Sequence, residues 1–126
     1  MDMRTPLSKV RGLGSAKEGA DHFWQQRLTA VANIILTLFL VVMIVNMLSA
    51  DYSTIREYIA SPLVAVGIIL LVISSTFHMR LGMQVVIEDY IHAEGTKIIL
   101  LMLNTFFSIF IGLACIFAVF KISFGA

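Results

Sequence analysis

Four residues of this chain have types and spacing that suggest chemistry: His78, Arg80, Asp89 and Tyr90. The first two close an otherwise apolar run from Ser61 to Arg80. An ionisable group inside such a run is costly in lipid, so its presence points to function. An imidazole there suits three roles. It can ligate a haem iron, hydrogen-bond a neighbouring helix, or relay protons. Asp89 and Tyr90 suit a different chemistry, in which a phenol hydrogen-bonds a quinone carbonyl while a carboxylate beside it passes protons from water. The same pair also fits a solvated helix end carrying an interfacial tyrosine.

At about 100° per residue, Gly67, Leu71, Ser74, His78, Gly82, Val85 and Asp89 fall on one helical stripe. Small residues on both sides of His78 allow a flat ring or a second helix to approach the backbone closely. Arg80 is offset from His78 by about 200° and belongs to another face, where a pairing with a partner subunit is plausible. His92 lies about 21 Å beyond His78 along a helix, and His22 belongs near the same membrane surface. If His78 ligates haem, the second axial ligand therefore has to come from another chain.

The elements that must position these groups follow from the distribution of charge. The 126 residues are 59% hydrophobic and 13% charged, with a mean hydropathy of +0.92. Soluble domains carry roughly 25% charged residues. Uncharged stretches run from Leu28 to Ala50, from Tyr58 to Met79 and from Ile98 to Phe120. Each exceeds the ~20 residues needed to cross the hydrocarbon core. The expected fold is an all-α membrane protein with a polar segment at 1–20 and spans at about 21–48, 62–90 and 96–122. The first run is too long for the h-region of a signal peptide and reads as a retained span.

Ser15–Glu18 fits a capping box, and Phe23 and Trp24 fit an interfacial belt. The link at 49–61 reads as an aqueous turn. Pro62 suits the first turn of the second span, and Gly95 suits the stop after it. Apolar Leu81, Met83, Val85, Val86 and Ile87 favour continuation of the second span past Arg80 to Tyr90, about 43 Å from Pro62. Asn33, Asn46 and Asn104 suit contacts between helices, and Cys115 suits a small core position.

Arg4, Lys9, Arg11, Lys17, Arg27 and Lys97 gather on one side of the spans, against Arg56 and Lys121 on the other. The positive-inside rule places the N-terminus and the Asp89–Tyr90 end in the cytoplasm and the C-terminus in the periplasm, the mitochondrial inner membrane being the alternative. A net charge of +1 without a basic cluster interleaved with aromatics excludes nucleic acid. Cys115, the lone cysteine, excludes an internal disulfide and a C-x-x-C-H haem attachment.

The run His78-Met-Arg-Leu-Gly82-Met-Gln-Val-Val86-Ile-Glu-Asp89-Tyr90 resembles the H-x-x-x-G-x-x-x-V-x-x-D-Y signature of the small hydrophobic membrane anchors of succinate dehydrogenase, respiratory complex II. Arg27-Leu-Thr-Ala-Val resembles the start of that family's first helix, and Gly14–Gly19 its alphaproteobacterial branch. The resemblance implies a helical bundle completed by a cytochrome b subunit, with one b-type haem shared between the two chains. It implies His78 as an axial ligand of the haem iron and Arg27 as a propionate contact. It also implies Tyr90 and Asp89 as ubiquinone-site residues, and flavoprotein and iron–sulfur subunits docked on the cytoplasmic side. Such an anchor is not catalytic alone but helps to form the site where electrons from succinate reach ubiquinone. The alternatives are an anchor of a quinol-oxidising fumarate reductase, or a structural or transport subunit in which His78 and Asp89 relay protons.

Overall fold

The computed structural model describes residues 5–12 and 18–125. The helices are α1 (Pro6–Val10), α2 (Glu18–Met47), α3 (Tyr52–Ala60), α4 (Pro62–Tyr90) and α5 (Glu94–Ser123). The expected capping box begins outside the described residues. No strand occurs among the described residues. Helices α2, α4 and α5 are each long and apolar enough to cross a membrane. The all-α, three-span fold expected from the sequence is thus borne out.

Contacts along α4 fix how the helices run. From α2, Thr29 meets His78, Asn33 meets Ser75, and Phe39 meets Gly67. One number rises as the other falls, so α2 and α4 are antiparallel. The side chain of Asn104 meets the Arg80 carbonyl and Gly112 meets Thr76, so α5 is also antiparallel to α4. The central helix α4 therefore carries α2 on one side and α5 on another, as the offset of about 200° between Thr76 and His78 requires.

Little is enclosed by this arrangement. The buried apolar residues are Met43, Val64, Ala65, Leu81, Ile87 and Val119, while long apolar faces of all three spans remain exposed. In lipid this costs nothing, because acyl chains are as apolar as leucine. What holds helix to helix is close packing and side-chain hydrogen bonding. Asn104 Nδ2 donates to the Arg80 carbonyl at 2.9 Å, and Ser75 Oγ donates to Asn33 Oδ1 at 3.3 Å. Two of the three expected asparagine contacts therefore form. Asn46 is exposed, near the end of α2, and joins no other helix among the described residues.

The second span continues unbroken past Arg80 to Tyr90. Three details differ from expectation. The link at 49–61 contains a nine-residue helix, α3, that packs on α4 and α5. Its first turn is organised by Asp51, whose carboxylate accepts hydrogen bonds from the Ser53 and Thr54 hydroxyls. Those bonds hold the Asp51 carboxyl below its ordinary range. Gly95 lies in the first turn of α5 rather than stopping α4. The reversal is made by extended backbone at Ile91 (φ −102°, ψ 112°) and Ala93 (φ −75°, ψ 113°), which needs no glycine. Cys115 is exposed on α5 rather than in a core, since a layer of three helices leaves most of α5 facing outward.

Candidate functional site

The α2 face turned toward α4 carries His22, Gln26, Thr29 and Asn33, spaced so that they form one stripe, and all four are half-buried. Opposite them α4 presents Ser74, Ser75 and His78. Lipid offers polar groups no partners, and Thr29 and Asn33 find theirs on α4, while the Nε2 of His22 is buried without one among the described residues. Thr29 is the hub. Its Oγ1 donates toward the carbonyls of Gln25 at 2.8 Å and Gln26 at 3.0 Å, and lies 3.0 Å from His78 Nδ1. Ser74 Oγ donates to the Thr29 carbonyl over a longer 3.4 Å.

His78 is half-buried, and only its Nδ1 is engaged by the described residues. Its Nε2 has no hydrogen-bond partner among them and is not sealed off by the chain. An imidazole held through one nitrogen with the other accessible is the arrangement of a histidine ligand. Gly82, one turn along the same stripe, leaves open space where a Cβ would stand. Both observations fit a flat macrocycle at this face. No group of three or more His, Cys, Asp or Glu residues that could hold a metal occurs among the described residues. Axial ligation of haem asks this chain for one imidazole only.

Arg27 stands at the same end of α2 but is exposed and offset from Thr29 by about 200°. Its guanidinium lies 4.3 Å from the centroid of the Phe23 ring. Among the described residues no bond joins Arg27 to His78. Arg80 is half-buried beside α5, its guanidinium 5.8 Å from the Phe77 ring, in a shallow hollow with Thr76, Ser108 and Gly112. It is on the opposite side from His78, as the helical period required.

Asp89 and Tyr90 lie together at the end of α4, both exposed. Asp89 continues the His78 stripe, about 17 Å along the axis. Tyr90 instead borders an apolar cleft of about 560 Å³ between α4 and α5, together with Met79, Met83, Val86, Leu103 and Asn104. The adjacent pair thus spans two faces of the helix. The imidazole and the phenol are not brought into one pocket by this chain.

Residues 1–119 match the family described as succinate dehydrogenase/fumarate reductase transmembrane subunit. The chain belongs to that family. It is 35% identical to the succinate dehydrogenase hydrophobic membrane anchor subunit of Rickettsia bellii, with 94% of this chain and 95% of the relative covered. It is 28% identical to the subunit of the same name in Paracoccus denitrificans, with 97% and 94% covered. The corresponding Rickettsia conorii protein is 29% identical over 94% of this chain and 95% of its own length. No solved structure matches significantly. The resemblance read from His78 to Tyr90 is therefore borne out at the level of the anchor family, and the three-span fold agrees with a transmembrane subunit.

Thr29 is the site residue that the sequence reading passes over. A signal for it exists: His22, Gln26, Thr29 and Asn33 recur at helical spacing in a helix otherwise dominated by apolar residues. Such a polar stripe marks the face that meets another polar face.

Proposed function

We propose that this membrane anchor shares a b-type haem with a second membrane subunit and borders the site where ubiquinone is reduced. In this reading His78 would hold the haem iron from this chain, and the partner subunit would supply the other ligand. The carrying observation is the state of His78: Nδ1 is tied to Thr29 and Nε2 is left accessible. The haem, when bound, supplies one-electron redox chemistry. This chain orients the imidazole and sets it in a helix layer where Ser74 and Ser75 are already hydrogen-bonded to α2.

At the end of α4, Tyr90 hydrogen-bonds a quinone carbonyl, and the Asp89 carboxylate beside it passes protons from water. The apolar cleft beside Tyr90 supports this assignment, because a quinone is a largely apolar body with two polar oxygens. Completion of the pocket falls to the partner subunits, since Tyr90 is 77% exposed in this chain. Arg27, exposed and without a carboxylate partner among the described residues, is the cation available to a haem propionate. Flavoprotein and iron–sulfur subunits deliver electrons from succinate on the same side. The basic N-terminal side and the α4–α5 link face the cytoplasm of a bacterial inner membrane.

The test is the reduced-minus-oxidised spectrum of the purified complex. His78→Ala is expected to remove or shift the low-spin b-type signal while the complex still assembles. An unchanged spectrum would exclude His78 as the ligand.

A further inference from the structure

Hydrogen bonding around Thr29 decides which ring nitrogen of a neutral His78 carries the hydrogen. A threonine hydroxyl has one proton to give and two lone pairs to receive. The Thr29 hydroxyl faces two backbone carbonyls of its own helix, Gln25 at 2.8 Å and Gln26 at 3.0 Å, neither of which can donate from oxygen. The proton is therefore committed to the helix backbone. The remaining neighbour, His78 Nδ1 at 3.0 Å, must then be the donor. A neutral imidazole carries one N–H, so protonation at Nδ1 leaves Nε2 with its lone pair.

We propose that Thr29 is a positioning residue for the haem ligand: its hydroxyl accepts the Nδ1 proton of His78, which sets the tautomer and the ring plane and leaves the Nε2 lone pair free for iron. The inference rests on the reading of His78 as an axial ligand and adds the group that holds it. The register that brings Thr29 opposite His78 is itself fixed on either side. Ser75 bonds Asn33 one turn further along α2, and Ser74 reaches the Thr29 carbonyl. Thr29 and His78 are thereby aligned by contacts that involve neither side chain. An acceptor on Nδ1 also raises the basicity of a metal-ligating imidazole. A more basic ligand favours the ferric over the ferrous haem.

The experiment uses the whole detergent-purified complex with Thr29→Val, which keeps size and β-branching but removes the acceptor, and Thr29→Ser, which restores it. Haem retention against a detergent series and the haem midpoint potential are the readouts. In Thr29→Val the potential is expected to rise, and haem retention to fall by about tenfold or more. Thr29→Ser is expected to return both toward the wild-type values. A purely packing role for Thr29 would leave the potential of the near-isosteric valine variant unchanged, and that result overturns the inference. Equal defects in the valine and serine variants would also overturn it, because the hydroxyl would not be the operative group. Parallel measurement of His78→Ala separates the two levels. If that variant keeps an unaltered b-type spectrum, the ligand reading falls and the role of Thr29 falls with it. If it loses the spectrum while Thr29→Val is normal, only the role of Thr29 is lost.

Discussion

The ring of Phe39 on α2 lies directly over the backbone of Gly67 on α4. A methyl group at Gly67 would stand 2.9 Å from Cε1 and 3.0 Å from Cζ. Among the described glycines this is the tightest approach of one helix to another, and it lies about 17 Å along α4 from His78. Together with the Thr29 and Asn33 contacts, it makes α2 and α4 one antiparallel pair that holds the histidine face in register.

Gly67→Ala should accordingly strain the pair. Overpacking of this kind costs about 1–3 kcal/mol. The value should sit near the lower end, because the opposing atoms are the far edge of a half-buried ring. Denaturation of the purified complex in a detergent series measures it. Phe39→Leu in the same chain should recover part of the loss. By contrast, Gly112→Ala should be nearly neutral, since its Cβ would meet Thr76 Oγ1 at 3.4 Å and Cγ2 at 3.6 Å, which the neighbour can accommodate.

Tyr90→Phe should slow ubiquinone reduction while leaving succinate oxidation by an artificial acceptor intact. Loss of one neutral hydrogen bond predicts roughly a five- to tenfold effect. The aromatic ring keeps its place at the cleft, so the phenol alone is removed. Parallel steady-state assays with the two acceptors decide the matter. An equal fall in both would assign Tyr90 to assembly instead.

Asp51 gives a pH-dependent expectation at the opposite end of the helix layer. Its carboxyl is held below the ordinary value of 3.8, chiefly by the Ser53 hydroxyl and then by the Thr54 hydroxyl. A depressed folded pKa means a contribution present above the unfolded value and lost as pH falls through the folded one. Protection against hydrogen exchange of the Ile55 amide, which donates to the Asp51 carbonyl at 3.1 Å, should therefore be constant near neutrality and drop in acid below 3.8. Asp51→Ala should show the low-protection state throughout, and an acid-induced drop of the same size in that variant would discredit the assignment.

The continuity of the second span was legible because apolar residues surround Arg80 on both sides, and lipid admits a helix in preference to any open backbone. The separation of Arg80 from His78 was legible from helical geometry alone. So was the alignment of His78 with Asp89. The helix α3 was not, because Ser53, Thr54, Arg56 and Glu57 break up the apolar pattern of a nine-residue segment and its organisation depends on Asp51 receiving two hydroxyls. Gly95 does not make the reversal before α5. Glycine is a common turn residue, but an extended pair of ordinary residues also turns a chain.

The amino-acid sequence by itself determined three membrane-length helices, their order, and the presence of an imidazole, a carboxylate and a phenol on the middle one. Those follow from transfer free energy and helical periodicity, which are local properties of the chain. Which helix faces which was decided only in the tertiary structure. Apolar residues surround each span, so hydrophobicity does not choose a contacting face in lipid. The choice rests on where small residues permit close approach and where polar side chains find partners. That is why the placement of Thr29 on His78, and of Tyr90 at the cleft beside α5 rather than on the histidine face, emerges only once the three helices are packed.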